Sequence, residues 1–299
     1  MKQSPIISVV MITYGHEKYI SEAINSIFNQ ITNFSFELII SNDASPDNTD
    51  VIIRELIKNK PKNISIKYTL QKINLGVIKN FNWALNQAEG KYIAICEGDD
   101  YWTDPFKLQT QLFFLDFHVD YSLCFHNAFV GNTYTKNGNK RFNNLNKSRE
   151  IKLKELINNW IIPTASIFFR RNILPMPEWV VQIYSGDLTL AIIAISKGKI
   201  FYINSVMSFY RQDINNNTSM TNVIRDNNVF VLNEHIKLYQ LYLNDPLCKK
   251  KNVIKSKINL LKKEVKFQEN KNIGYIRLFI KMPLFFIRKV IQKLSLSEK

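Results

Sequence analysis

The sequence predicts an α/β protein with a doubly wound, mostly parallel sheet and a helical, basic C-terminal extension. Three observations predict it. Short β-branched runs alternate with segments of helical period through the first hundred residues. The runs are apolar throughout instead of alternating, as in strands covered on both faces. Residues 225–299 read almost wholly as helix and carry 17 Lys and Arg against 6 Asp and Glu.

Ile6–Thr13 reads as a buried strand. Lys18–Asn29 has apolar residues at 20, 23, 24, 27 and 28, the period of a helix. Phe36–Ser41 is a second strand, and Asn48–Lys60 a second helix with Asn48 or Thr49 as cap. Ile64–Leu70 is a third strand, Val77–Ala88 a helix ended by Gly90, and Tyr92–Cys96 a fourth strand. Further on, Phe106–Phe117 and Asp187–Ser196 are expected as helices, Trp160–Phe169 and Lys199–Tyr210 as strands, and 131–149 as a polar loop. Sheets of this class bind ligands at the carboxyl ends of their strands. Thr13–Tyr14, Asn42–Asp43 and Glu97–Asp100 all fall at such ends and are expected to converge.

Composition excludes several classes. With 299 residues, 45% hydrophobic, 22% charged, and only 9 Gly and 9 Pro, the chain is neither disordered nor collagen-like. The net charge is +15, of which residues 1–224 contribute +4 and 225–299 contribute +11. That partition predicts two domains, 1–224 and 225–299. Cys96, Cys124 and Cys248 match no zinc or redox spacing and leave an odd thiol under any pairing, which suits a reducing cytoplasm. The apolar run at the start is too short for a signal peptide, and no run of about 18 apolar residues suggests a membrane span. His16, His118, His126 and His235 are scattered and read as non-ligands, with His16 alone expected near the site.

Glu97-Gly98-Asp99-Asp100 is the sharpest motif. Three acids within four residues repel one another unless they share something positive, and an oxygen-only set suits Mg²⁺ or Mn²⁺. A solvated acidic turn has the same composition. Neither GxxxxGK[ST] nor GxGxxG occurs, which argues against common nucleotide triphosphatases and dinucleotide enzymes.

The stretches SVVMITYGHEKYISEAINSIFNQ, FELIISNDASPDNT and NLGVIKNFNWALNQAEGKYIAICEGDDYW, in that order and spacing, resemble the inverting family 2 glycosyltransferases of the glycosyltransferase A-type fold. A weaker match continues through TASIFFRRNIL, SGDLTLAIIAISKGKIFYINSVMSFYR and NNTSM. The resemblance implies that residues 1–224 are a catalytic domain taking a nucleotide-diphospho-sugar, by default a UDP-sugar. It assigns nucleotide-sugar binding to Thr13, Tyr14, Glu17, Asp43, Lys79, Asp99 and Arg211, with Asp43 accepting a hydrogen bond from the base. Ordinary alternatives stand beside these: Asp43 as a cap of the 48–60 helix, Glu17 as an exposed helix-start acid, Arg211 as half of an ion pair. The family pattern is Asp-x-Asp-Asp, and Glu97 takes its first place. The resemblance gives Asp100 a Mn²⁺ or Mg²⁺ ion bridging the two phosphates, a Lewis acid for the leaving nucleoside diphosphate. It makes Asp187 in Ser185-Gly186-Asp187 the general base, against a rival reading as a helix-start acid. Trp102 is placed for stacking on an acceptor sugar or, equally, for packing in the core. Attack opposite the leaving group implies inversion without a covalent nucleophile.

Taken as a helix, Ile273–Leu294 puts Ile276, Phe279, Ile280, Pro283, Ile287, Val290, Ile291 and Leu294 on one arc. Arg277, Lys281, Arg288, Lys289 and Lys293 fall opposite, and Pro283 is expected to kink the helix. That pattern predicts peripheral contact of 273–294 with an anionic membrane, on the inner face of the cell membrane for a cytoplasmic protein. The alternative is a helix packed on the catalytic domain. The expected activity is inverting transfer of a sugar to a hydroxyl of a cell-surface glycan precursor: a lipid-linked oligosaccharide, capsule or lipopolysaccharide. Two alternatives are a sugar nucleotidyltransferase, against which the absence of a glycine-rich basic N-terminal segment counts, and a nucleic-acid-binding protein using the tail. Arg is scarce at 9 against 31 Lys, and no nucleic-acid motif is present.

Overall fold

The β-branched run at the start can bury every side chain only if helices cover both faces of its sheet, and the chain builds that arrangement. The computed structural model describes residues 5–132, 140–212 and 228–281, with backbone alone for 228 and 271–281. Strand β1 (Ile7–Thr13) is buried at all seven positions. It lies between β2 (Phe36–Asn42) and β4 (Tyr92–Ile95), parallel to both, and β3 (Ile64–Leu70) pairs parallel to β2 at the edge. The edge position leaves most of β3 partly exposed.

Helices α1 (Ile20–Phe28), α2 (Thr49–Lys58) and α3 (Val77–Asn86) make the crossovers. Ile20, Ala23, Ile24 and Ile27 of α1 and Ile53 of α2 share one core cluster with Ile7, Val9 and Met11 of β1. Alternation turns Val10 and Ile12 to the other face, and α3, which contacts β1 and β2, buries Phe81, Ala84 and Leu85. The strand order β3-β2-β1-β4 reverses between β1 and β4. The carboxyl ends of those two strands form the switch point where this architecture opens a crevice.

Beyond β4 the sheet is mixed. β9 (Phe168–Arg170) pairs antiparallel with β4 and with β6 (Tyr121–Gly131). β10 (Lys199–Arg211) runs parallel to β6, and the two-residue β5 (Tyr101–Trp102) closes antiparallel on β10. Short strands β7 (Lys140–Arg141) and β8 (Arg149–Ile151) pair with β6 and β10, so part of the expected 131–149 loop is strand. β6 is not among the expected elements: His126 and Asn127 interrupt its apolar run, yet both are fully buried. The expected strand over Trp160–Phe169 is shorter. Pro163 precedes a 3₁₀ turn at Thr164–Ser166, and only Phe168–Arg170 pairs. Helices α4 (Lys107–Phe117), α5 (Leu153–Asn158) and α6 (Gly186–Lys197) complete this part, α6 close to its expected bounds.

The chain divides into two compact units, Met1–Val223 with Asn244–Lys249, and Ile224–Leu243 with Lys250–Lys299. The second holds α7 (Asn228–Asn244) and α8 (Lys251–Lys281). The sequence reads as almost wholly helical here, and the described residues are helical on both sides of one break. The helix breaks before Asp245-Pro246, because proline removes an amide donor and disfavours helix in the residue preceding it. Among the described residues no helix is long and apolar enough to cross a membrane. Pro283 and residues 282–294 of the expected amphipathic segment lie outside the described residues.

Candidate functional site

The crevice is assembled from loops that lock to one another. After β2, the Asp43 amide donates to Thr13 O at 2.9 Å, joining the ends of β1 and β2. The Asp43 carboxylate accepts the amides of Leu75 and Gly76 at 2.8 and 2.9 Å, which ties down the loop before α3. The next residue, Ala44, holds a left-handed φ of 58°. A side chain there costs about 1–2 kcal/mol, and such strain gathers at functional loops. Asp43 does not cap the helix after β2, and Asn48, at its N-cap, makes no side-chain cap bond. Glu17 accepts from the Asn48 amide at 3.1 Å and its side-chain amide at 3.0 Å, and Asp47 accepts from the Thr49 amide and hydroxyl.

The acidic turn follows β4. The Gly98 amide donates to Ile12 O at 3.0 Å, seating the turn on the end of β1. A Cβ at residue 98 would lie 2.6 Å from Thr13 Oγ1 and 2.8 Å from Thr13 Cβ, so this approach requires glycine. Thr13 is buried, and its hydroxyl meets His16 Nδ1 at 3.1 Å. On its other side His16 Nε2 stands 3.8 Å from Asp99 Oδ2. Tyr14 is 43% exposed at the mouth, and Lys79 is exposed on the first turn of α3.

Asp100 is buried. Its Oδ1 accepts the Arg211 amide at 2.9 Å, while its Oδ2 is shielded from water with no hydrogen-bond partner. Burial first, then the nearby Asp99 and Glu97 charges, push the Asp100 carboxyl well above the ordinary range, against the pull of the Arg211 amide. Glu97 is pushed up to about 8 by burial, then by Asp99 and Asp187. A divalent cation beside these acids would relieve their mutual repulsion. The residues present fit one: Asp100 Oδ2 is a buried anionic ligand with nothing bonded to it. Among the described residues no three acids, histidines or cysteines form a cage. Mg²⁺ or Mn²⁺ here would complete its shell with water and substrate phosphate oxygens.

Asp187 arrives from the far side, in the first turn of α6. Its Oδ1 accepts from Ser185 Oγ at 2.8 Å and from the Leu188 amide at 2.7 Å; its Oδ2 accepts from Thr164 Oγ1 at 3.2 Å. Burial raises its pKa, and these three donors together with its own backbone amide offset part of the rise. Thr164 also lies near enough to Glu97 to lower its pKa, so the same residue adjoins the acidic turn and the helix carboxylate. The fold thus gathers Thr13, Asp43, Asp99, Asp100 and Asp187, separated by up to 174 residues in the chain. The site can bind a polyanion with a divalent ion beside Asp100 and accept a proton at Asp187.

For two residues the structure shows the second of the two readings left open. Trp102 is 4% exposed in the core, its indole N–H donates to Ala165 O at 2.9 Å, and the Lys107 ammonium covers its ring at 4.0 Å. It presents no face for stacking on a sugar. Arg211 serves the acids through its backbone amide. Its guanidinium pairs with Glu22 at 2.5 Å and lies over the rings of Tyr19 and Tyr101. Thr164 and Ser185 were not expected. Thr164 carries no sequence signal, whereas Ser185 stands at a helix N-cap, a position that invites inspection. A depression of ≈ 610 Å³ lined by Lys91, Arg170 and Arg171 lies at the opposite end of β4. Lys91 is paired with Asp116, and Arg170 with Tyr92 and backbone oxygens, so these two are already engaged.

Comparison with known proteins agrees with this fold. The model of the family described as Glycosyl transferase family 2 matches residues 8–175. An uncharacterized protein of Mycobacterium tuberculosis is 37% identical over 187 residues, 59% of this chain and 52% of its own. The GalNAc(5)-diNAcBac-PP-undecaprenol beta-1,3-glucosyltransferase of Campylobacter jejuni is 28% identical over 69% of this chain and 65% of its own. Among solved structures, S. aureus TarS 1–349 in complex with UDP-GlcNAc superposes with a TM-score of 0.65 at 20% identity, covering 93% of this chain and 76% of that one. Mannosyltransferase PcManGT from Pyrobaculum calidifontis, in complex with GDP-Man and Mn²⁺, gives 0.61 at 14% identity, covering 100% and 82%. The fold is therefore that of the A-type glycosyltransferases. The chain spans about half the length of the first curated relatives it matches.

Proposed function

This chain belongs to glycosyl transferase family 2, and from that premise we propose that it is a metal-dependent, inverting glycosyltransferase. It moves a sugar from a UDP-sugar to a hydroxyl of a cell-surface glycan precursor. One observation carries the reading: a buried, partnerless Asp100 Oδ2 in the acidic turn, with Asp187 joined to the same turn through Thr164. Thr13, Tyr14, Asp43 and Asp99 form the donor side, with Glu17 bracing the loop between β1 and α1. Lys79, exposed at the start of α3, is the basic residue offered to the diphosphate, and Arg211 acts by fixing Asp100. A bound Mn²⁺ or Mg²⁺ supplies Lewis-acid stabilisation of the leaving diphosphate. Asp187 takes the proton of the acceptor hydroxyl.

The UDP-GlcNAc of the TarS complex supports a UDP-sugar, and the Mn²⁺ of the PcManGT complex supports the cation. The undecaprenol-linked acceptor in the name of the Campylobacter relative supports a lipid-linked precursor. Thermal unfolding with a panel of nucleoside diphosphates tests the donor side. UDP with Mn²⁺ is expected to raise Tm more than either alone, and EDTA to cancel the gain. Equal Tm with and without every diphosphate would overturn the reading.

Placement of the site near a membrane-held acceptor follows from 273–294 as an anionic-surface contact of a cytoplasmic, peripheral protein. The full chain is expected to sediment with vesicles containing phosphatidylglycerol and to be released by high salt. Equal sedimentation with neutral vesicles, or none at all, would remove the surface contact and leave the transferase reading intact.

A further inference from the structure

Helix α6 begins at Gly186 with Ser185 in the capping position, but the Ser185 hydroxyl makes no cap hydrogen bond to the helix. It donates instead to Asp187 Oδ1, which also holds the Leu188 amide. Two donors fill the two lone pairs of Oδ1. Oδ2 has one side-chain donor, Thr164 Oγ1 at 3.2 Å. Thr164 sits on a different element, the 3₁₀ turn of Thr164–Ser166, buttressed by Ser166 bonding back to Pro163 O at 2.6 Å. The carboxylate plane is thus fixed from two independent directions.

We propose that Ser185 and Thr164 are positioning residues that make Asp187 Oδ2 the proton-accepting atom. The proposal rests on the transferase reading above. In the step it describes, the acceptor O–H bond breaks and its proton goes to Oδ2. The freed oxygen pair forms the bond to the anomeric carbon. The bond from that carbon to the diphosphate breaks, and its electron pair leaves with the phosphate oxygen. Saturation of Oδ1 prevents the carboxylate from offering the wrong oxygen, and Thr164 stops rotation about the Cβ–Cγ bond. A misplacement of about 1 Å at a reacting group costs roughly 100-fold. Glu97, from the acidic turn, is the charged group facing Asp187.

The test compares Thr164→Val, Ser185→Ala and Thr164→Ser in the full chain with Mn²⁺. The probes are UDP for binding and UDP-GlcNAc, UDP-glucose, UDP-galactose and UDP-GalNAc for turnover, read as UDP release. Thr164→Val and Ser185→Ala are expected to bind UDP as wild type does and to lose about 10- to 100-fold in kcat. Thr164→Ser, which keeps the hydroxyl, is expected to recover most of the rate. Independently of turnover, a ¹³C carboxyl titration followed by NMR is expected to show the Asp187 pKa rising in both deletion variants, since each removes a donor to the ionised form. Wild-type kcat in Thr164→Val and Ser185→Ala, with Asp187→Asn inactive, overturns the positioning role and leaves the transferase reading standing. Full activity in Asp187→Asn overturns Asp187 as the base, and the positioning role with it; no gain in Tm with any nucleoside diphosphate overturns the transferase reading. An unmoved Asp187 titration in both variants overturns the proposal even if no donor of the panel turns over.

Discussion

Asp187→Asn is expected to cut turnover by about 10²–10⁴-fold while leaving nucleotide binding near wild type. Asparagine keeps the shape, and its carbonyl oxygen can still accept from Ser185 and the Leu188 amide, so the helix start survives. What disappears is the capacity to take a proton. Burial raises the Asp187 pKa, which strengthens the base and sets its working range. Turnover should fall as pH drops through that raised value, because the protonated acid cannot accept the hydroxyl proton. Steady-state UDP release across pH, with calorimetric UDP titration beside it, checks both parts. A variant that loses UDP affinity and rate together would place Asp187 in donor binding instead.

Asp100→Asn is expected to separate function from stability. Loss of the cation ligand removes several kcal/mol of charge stabilisation at the leaving group, about 10²-fold or more in rate. Without cation, the same change relieves a cluster of like charges. Glu97, Asp100 and Asp187 all have folded pKa values raised above their ordinary ones. The folded chain therefore binds more protons than the unfolded chain between the ordinary and raised values, and stability falls as pH rises through that window. For Glu97 the window runs from 4.5 to about 8. In EDTA, Asp100→Asn is expected to match wild type at low pH and to exceed its Tm increasingly toward alkaline pH. Each kcal/mol relieved corresponds to about 2–4 °C in a domain of this size. A lower Tm than wild type throughout that range would show that the acids are not in conflict. Such a gain in stability on removing a functional charge is the ordinary trade at active sites.

The two variants probe residues that the sequence exposes unevenly. Strands β1, β2 and β4 and the helices between them were legible because burial on both faces leaves an unbroken apolar record, and a helical face leaves a 3.6-residue one. Acids just after such strands were legible for the same reason: the carboxyl end of a strand is known once the strand is. β6 was not legible, since His126 and Asn127 look like surface residues until neighbouring elements bury them; Asn127 is satisfied by Asn143, 16 residues away. Trp102 shows the opposite case. Its place beside the acidic turn left stacking on a sugar and packing in the core equally open; Ala165, from a distant segment, and Lys107, from the helix that follows, enclose it in the core.

By itself, then, the sequence determined the layer architecture, the strand ends where the polar residues gather, the acidic turn and the acid at the start of α6. These depend on local periodicity and on residue type. The tertiary structure decided how the acids are used. It left Asp100 Oδ2 buried without a partner, brought Thr164 between Glu97 and Asp187, turned the Ser185 hydroxyl from cap to carboxylate, and gave Arg211 its role through an amide. Most of these depend on distance and burial between residues far apart in the chain, and a charge or hydroxyl acquires its pKa and its partner only when the fold removes water from it.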